Sequence, residues 1–203
     1  MVVLIFGVTN VGKTVTGEKL AKLLGYPFYD LDDEIRKTFQ MTLEEFIKKN
    51  PWPNERFIIK GKVLKNTIEN NGENMVIAVS PIYYARNFNY LLKRDNVIAV
   101  ELQDTKENIF DRLVFSDEND RIYKDDEYKE AHREHYLKEI REDIQYAKRT
   151  FRQIQWKYFM DNKSPEQVAK EIAEMLPEKI REKHNADHGM LCQELKTGGN
   201  WKS

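Results

Sequence analysis

The hydrophobic pattern opens with an unbroken apolar run, Val2–Phe6, closed by Gly7. A β-branched and aromatic run without alternation suits a strand buried on both faces of a parallel sheet. Similar runs follow at 75–79 and 97–100, with a shorter one at 27–29 ending on Asp30 and a weaker one at 156–160. Between them the spacing becomes helical. Val15, Leu20, Leu23 and Leu24 predict a helix over Lys13–Leu24, with Gly25 as its stop. Thr42 and Glu45 read as the capping box of a short helix to Lys49, broken by Pro51-Trp52-Pro53. A further helix over 55–69 is closed by Asn70-Asn71-Gly72, and another runs to about Gln155. The last starts at Ser164 as N-cap, with Pro165 at its first position and Gln167 at its third. Val168, Ile172, Met175 and Leu176 form its apolar stripe. Strands alternating with helices predict a three-layer α/β domain built on a parallel sheet of about five strands.

Residues 116–129 interrupt this rhythm, being almost free of aliphatic side chains and crowded with charge. They read as a mobile surface lid. Beyond Pro177 the periodicity decays. The expected organisation is one domain over 1–176 and an extension or tail over 177–203.

Charge and composition narrow the function. The 203 residues carry 33 basic and 34 acidic side chains, a net charge of −1 with His neutral. A nucleic-acid binder would usually show a basic excess. The longest apolar run is far short of the ~20 residues a membrane span needs. The single Cys192 excludes an internal disulfide and a cysteine metal cluster. The pairs His132/His135 and His184/His188 have helical spacing, but no acidic partner pattern makes a zinc site of them. A cytoplasmic monomer without nucleic-acid or membrane partners is expected.

The chemistry starts at Gly7-Val8-Thr9-Asn10-Val11-Gly12-Lys13-Thr14, which matches G-x-x-x-x-G-K-[ST]. Its glycines let backbone N–H groups curl around phosphate oxygens, and the helix behind them adds partial positive charge. Lys13 reaches the β- and γ-phosphates, and the Thr14 hydroxyl coordinates Mg²⁺. The motif follows a predicted strand and opens a predicted helix, the context a P-loop requires. Asp30-Leu31-Asp32 comes next, at the end of the second strand, where doubly wound sheets bind ligands. In an extended segment both carboxylates face the same way. One could hold Mg²⁺ through water, and the other could accept the proton of an attacking hydroxyl. The same residues also read as a helix N-cap run. No acid follows the third strand at Val79-Ser80, which favours Asp30 as the metal-side carboxylate.

Gly12-Lys13-Thr14, residues 19–28 (KLAKLLGYPF) and Asp30-Leu31-Asp32-Asp33-Glu34-Ile35 together resemble the shikimate kinase family of P-loop phosphotransferases. A weaker likeness continues to Ser164-Pro165-Glu166-Gln167-Val168 and the last helix. The resemblance implies strand order 2-3-1-4-5 and a mobile lid. It implies ATP and Mg²⁺, bound by Gly7, Asn10, Val11, Gly12, Lys13, Thr14 and Val15, with Asp30 on the metal side with Thr14. It makes Asp32 the residue that holds and activates the acceptor hydroxyl. Arg112 and Pro165 would flank the adenine. Arg121, in the lid, would close over the phosphates beside Lys13.

Two departures concern the acceptor. Where the family has a glycine triplet, this chain has Ser80-Pro81-Ile82-Tyr83-Tyr84. Where the family clamps a carboxylate with the Arg of a Phe-Arg pair, the order here is Arg56-Phe57, a shift of about 100° around a helix. Trp52, Phe57 and the Tyr83-Tyr84 pair read as packing residues, one of which could line the acceptor pocket. Shikimate is the leading acceptor, with Arg56 and Ser80 among its expected contacts. The alternatives are another small-molecule or nucleotide kinase of the superfamily and a non-catalytic nucleotide-binding module. A GTPase is disfavoured, because Asn162-Lys163 is followed by Ser-Pro rather than x-Asp.

Overall fold

The computed structural model describes residues 1–180. The expected tail and the His184/His188 pair lie largely or wholly outside these residues. Five parallel strands form the central sheet: β1 (Val2–Phe6), β2 (Phe28–Asp30), β3 (Met75–Ala78), β4 (Val97–Gln103) and β7 (Trp156–Phe159). Their order is β2-β3-β1-β4-β7. A separate antiparallel pair, β5 (Phe115–Ser116) and β6 (Ile122–Tyr123), intervenes in the chain. Counting only the central sheet, the order is the expected 2-3-1-4-5.

β1 lies in the middle because it can be buried on every side. All five of its side chains are solvent-inaccessible, and it pairs with β3 (Val2 opposite Met75) and with β4 (Val2 opposite Val97). Phe6 packs against Phe88 and Phe151 at ring distances of 4.9 and 5.4 Å, covering one face of the sheet with aromatic surface. β4 runs three residues beyond the apolar stretch that predicted it. Its buried Glu101 is tolerated because the Lys157 ammonium, reaching across from β7, pairs with it.

The helices surrounding the sheet are α1 (Lys13–Leu24), α2 (Leu31–Phe39), α3 (Leu43–Lys49), α4 (Pro53–Asn70), α5 (Asn89–Leu92), α6 (Lys106–Asp111), α7 (Asp126–Ala131) and α8 (Arg133–Thr150). A ninth, α9, covers residues 165–180, so helix continues three residues past Pro177. The capping box expected at Thr42/Glu45 forms, and the expected N-cap Ser164 forms a second one with Gln167, each with reciprocal side-chain-to-backbone hydrogen bonds. Among the described residues no helix is long and apolar enough to cross a membrane.

Three expectations are corrected here. The apolar stripe of α1 faces the core only in part: Leu20 is buried, but Val15 and Leu23 are 45% and 57% exposed. The buried face is Lys13, Thr16, Gly17, Leu20 and Ala21, because the helix must turn Lys13 into the phosphate loop. Gly17 lets it seat closely, since a Cβ there would stand 2.6 Å from Phe28 Cε2. Second, the residues after Asp30 are not extended but form α2. Third, segment 116–129 has regular structure of its own. The Phe115 ring sits 5.7–5.8 Å from Tyr123, Tyr128 and Tyr136, an anchor that a search for aliphatic residues overlooks. At the hairpin's tip Asp120 takes the left-handed φ of 59°. Its carboxylate accepts from Leu43 N at 2.8 Å and pairs with Arg36 at 3.4 Å, tying the lid to α2 and α3.

Candidate active site

The chemistry-bearing residues collect at the carboxyl ends of the strands, where an open α/β sheet leaves its crevice. After β1 the backbone turns through Gly7 at φ +147°. A Cβ there would meet Leu102 O at 2.7 Å, so no other residue fits. Asn10 and Gly12 also take positive φ, and α1 starts at Lys13 with no side chain capping its first turn. The first N–H groups of the helix thus face the loop without a side-chain acceptor, the arrangement that receives an anion. Val11 is fully buried and holds the loop to the core, while Val15 points outward.

Lys13 is buried and donates to Val8 O at 2.7 Å, folding back over its own loop. Burial lowers its pKa from 10.5 to about 8, against the pull of Asp32 and Asp30. The Thr14 hydroxyl donates to Asp30 Oδ2 at 2.7 Å. Asp30 Oδ1 accepts from Asp32 N at 2.9 Å and so caps α2. Burial raises the Asp30 pKa, with the Thr14 bond acting in the opposite sense. The functional and the capping readings of Asp30-Leu31-Asp32 therefore both hold. The strand-to-helix turn, rather than an extended backbone, sets the two carboxylates. Thr14 and Asp30 offer hard oxygen donors beside the phosphate loop, which fits Mg²⁺.

Next to the loop lies a cavity of about 300 Å³. Its wall includes Thr9 of the P-loop, Asp32, Arg56, Phe57, Tyr83 and Asp143. Lys60, one turn of α4 beyond Arg56, also lines it. Its ammonium lies 3.3 Å from Asp32 Oδ1 and donates to Ser80 Oγ at 3.0 Å. Ser80 is buried and contributes through this bond rather than to the cavity wall. Arg56 reaches the cavity despite the reversed Arg-Phe order, its Nη1 held by the carbonyls of Asn50 and Pro51 at 2.8 and 2.9 Å. Phe57 and Tyr83 line the space, whereas Trp52 is 67% exposed and takes no part.

Three residues were not found from the sequence: Lys60, Tyr83 as a polar group, and Asp143. Burial raises the pKa of the Asp143 carboxyl, and burial together with the neighbouring Asp143 carboxylate raises that of Tyr83. Lys60 lies four residues from Arg56, a helical neighbour spacing that could have flagged it. Nothing local marks Asp143 within the charged run of α8.

The nucleotide-end candidates sit apart from this cluster. Arg112 follows α6, and its Nη2 is 2.6 Å from the buried Asp104 carboxylate. Burial opposes ionisation of Asp104, but bonds from Asn108 and Arg112 outweigh it and lower its pKa. Pro165 begins α9, whose Glu166 pairs with Lys19 of α1 at 3.0 Å. Both lie beyond the carboxyl ends of the neighbouring strands β4 and β7. Arg121 is exposed on the lid hairpin, and its side chain makes no ion pair among the described residues.

This architecture has counterparts. The shikimate kinase of Aquifex aeolicus superposes with a TM-score of 0.65 at 23% identity, over 87% of this chain and 96% of that one. A shikimate kinase from Acinetobacter baumannii, solved in complex with shikimate, gives 0.68 at 21% identity, over 87% and 93%. At these identities the likeness is one of fold. The curated shikimate kinase of Bartonella quintana is 52% identical over 42 residues, 21% of this chain and 20% of that protein, so the match spans only a fifth of the relative. A family model for shikimate kinase, in contrast, matches residues 9–177, from the P-loop through nearly all of α9. With the sheet order, the phosphate loop and this match in agreement, the chain belongs to the shikimate kinase family.

Proposed function

We propose that the protein transfers the γ-phosphoryl group of ATP to a hydroxyl of a small molecule held in the cavity beside the P-loop. The observation that carries this reading is that Thr9 of the phosphate loop and Asp32 share the wall of one small cavity. A phosphorylated nucleotide on the loop would present its terminal phosphate to that space. Bound Mg²⁺ would supply neutralising charge to the phosphates, with Thr14 and Asp30 as its protein-side donors.

The residues then divide the work. Lys13 binds the phosphates, and its position against the two aspartates favours its charged form. Asp32 accepts the acceptor's hydroxyl proton as the new P–O bond forms and the bond to the β-phosphate breaks, releasing ADP. Lys60 orients Asp32 through their 3.3 Å contact and is itself fixed by Ser80. Arg56 offers its guanidinium to an acceptor carboxylate. Arg121 meets the transferring phosphoryl group when the lid carries it inward. Arg112 and Pro165 flank the adenine.

Shikimate is the first acceptor to test, because the family and the size of the cavity both suit it. A second reading, a different small acceptor, is favoured by the cavity wall itself. Bulky Pro81 and Tyr83 and the acidic Asp143 line it. The test is coupled ADP release with MgATP and shikimate, using the Lys13→Ala variant as reference. Acceptor-dependent release in the wild type alone supports phosphoryl transfer to shikimate. Equal rates in both proteins remove the kinase reading.

A further inference from the structure

The charges around the cavity do not all cancel within the protein. Asp32 and Lys60 satisfy each other. Arg56 is fixed by two backbone carbonyls and forms no ion pair among the described residues. Asp143, projecting from α8 into the same space beside Tyr83, forms no ion pair among the described residues, and the charge of Lys13 acts on it only from farther off. Even with the neutral Tyr83 hydroxyl beside it, about three of the carboxylate's four lone-pair sites are left for a ligand. The cavity therefore presents one unpaired cation from α4 and one unpaired anion from α8, between walls that include Phe46, Phe57 and Pro81.

A ligand bearing only a carboxylate would answer Arg56. It would leave Asp143 partly desolvated, unpaired and of like charge, which is costly. A ligand bearing only an ammonium would strand Arg56 in the same way. A net-neutral ligand with both groups satisfies both walls. We infer that the acceptor is a small hydroxylated zwitterion, its carboxylate toward Arg56 and its ammonium toward Asp143. A cavity of about 300 Å³ is at the small end for ligand sites, which suits an amino-acid-sized or aminocyclitol acid. This assignment rests on the kinase reading above, in that it places the phosphoryl acceptor in this cavity. The chemistry is unchanged: an acceptor hydroxyl attacks the γ-phosphorus, its proton goes to Asp32 and ADP leaves.

The test uses matched pairs on one skeleton. Shikimate is compared with its analogue in which one ring hydroxyl is replaced by an amine, and 2,4-dihydroxybutyrate with L-homoserine. Binding is measured by calorimetry in the presence of ADP, and turnover by coupled ADP release with MgATP. A charge-assisted bond to Asp143 should favour the amino member of at least one pair by about tenfold or more. Asp143→Asn keeps the shape and the Tyr83 contact but removes the charge, and it should abolish or reverse that preference. Tyr83→Phe, which leaves the charge, should weaken both members while the amino member stays ahead. Preference for the hydroxy member of both pairs in the wild type, an amino preference untouched by Asp143→Asn, or no binding of any of the four compounds overturns the assignment. The two readings fail separately. Turnover of the hydroxy member ahead of the amino member in both pairs refutes the zwitterion and supports the kinase. Binding of the amino members without any phosphoryl transfer supports the zwitterion site and refutes the kinase.

Discussion

Lys13→Met should make the nucleotide-free protein more stable. Lys13 is only 9% exposed, and burial brings its pKa from 10.5 to about 8. At pH 7 the side chain is charged in both the folded and the unfolded chain. The difference between those two values corresponds to roughly 3 kcal/mol of destabilisation carried by the buried ammonium. Methionine has a similar length and no charge to desolvate. It forfeits the 2.7 Å bond to Val8 O, worth about 1 kcal/mol, and leaves that carbonyl to find another donor. The net gain is about 1–2 kcal/mol, which in a chain of this size raises Tm by roughly 2–8 °C. The pH dependence has a definite sign. Between pH 8 and 10.5 the unfolded chain binds a proton at Lys13 that the folded chain does not, so wild-type stability climbs with pH across that window. The advantage of the variant should therefore be full at pH 7 and shrink toward pH 10. Saturating MgATP should reverse the ranking at pH 7, because only the wild type gains ligand-linked stability. Thermal unfolding of the two proteins at pH 7 and 10, with and without nucleotide, measures all of this. A variant that melts below the wild type at pH 7 without nucleotide would refute the reasoning. So would an advantage that does not change between the two pH values.

Asp32→Asn should lower kcat by about 10²–10⁴-fold with little change in ATP affinity, since the amide keeps the size but cannot take the hydroxyl proton; loss of ATP binding with intact turnover would instead place Asp32 on the metal side. Asp120→Ala removes the 2.8 Å bond to Leu43 N and puts alanine at φ 59°, so amide exchange over residues 117–123 should quicken by a factor corresponding to about 1–3 kcal/mol. Asp120→Asn, which tolerates that φ and can still accept from Leu43 N, should quicken it less; equal exchange in all three proteins would show that the tip is not held there. Gly17→Ala sets a helix-propensity gain of about 1 kcal/mol against a Cβ placed 2.6 Å from the Phe28 ring. The contact should win and lower Tm by a few degrees, whereas a higher Tm would mean that the ring swings aside freely.

The parts legible in the sequence are those whose cause is local. The apolar run of β1, the phosphate loop and the opening of α1 follow from a few consecutive residues. The capping boxes at Thr42 and Ser164 need only four residues each, and both form. Sheet order came from resemblance to a family rather than from any local signal. The helical continuation past Asp30 was ambiguous because one carboxylate does two jobs, capping α2 and receiving the Thr14 hydroxyl.

Tertiary structure decided the rest. Which face of α1 is buried depends on where Lys13 must point, and this leaves Val15 and Leu23 exposed although their spacing matches that of buried Leu20. β4 extends through Glu101 only because β7 delivers Lys157 to it. Above all, the cavity beside the P-loop joins Asp32, Arg56, Tyr83 and Asp143 from four separate segments of the chain. A phosphate loop is written in contiguous residues because the backbone itself makes the contacts. An acceptor pocket is made of side chains converging across the crevice, and its charge balance exists only once α4 and α8 face each other.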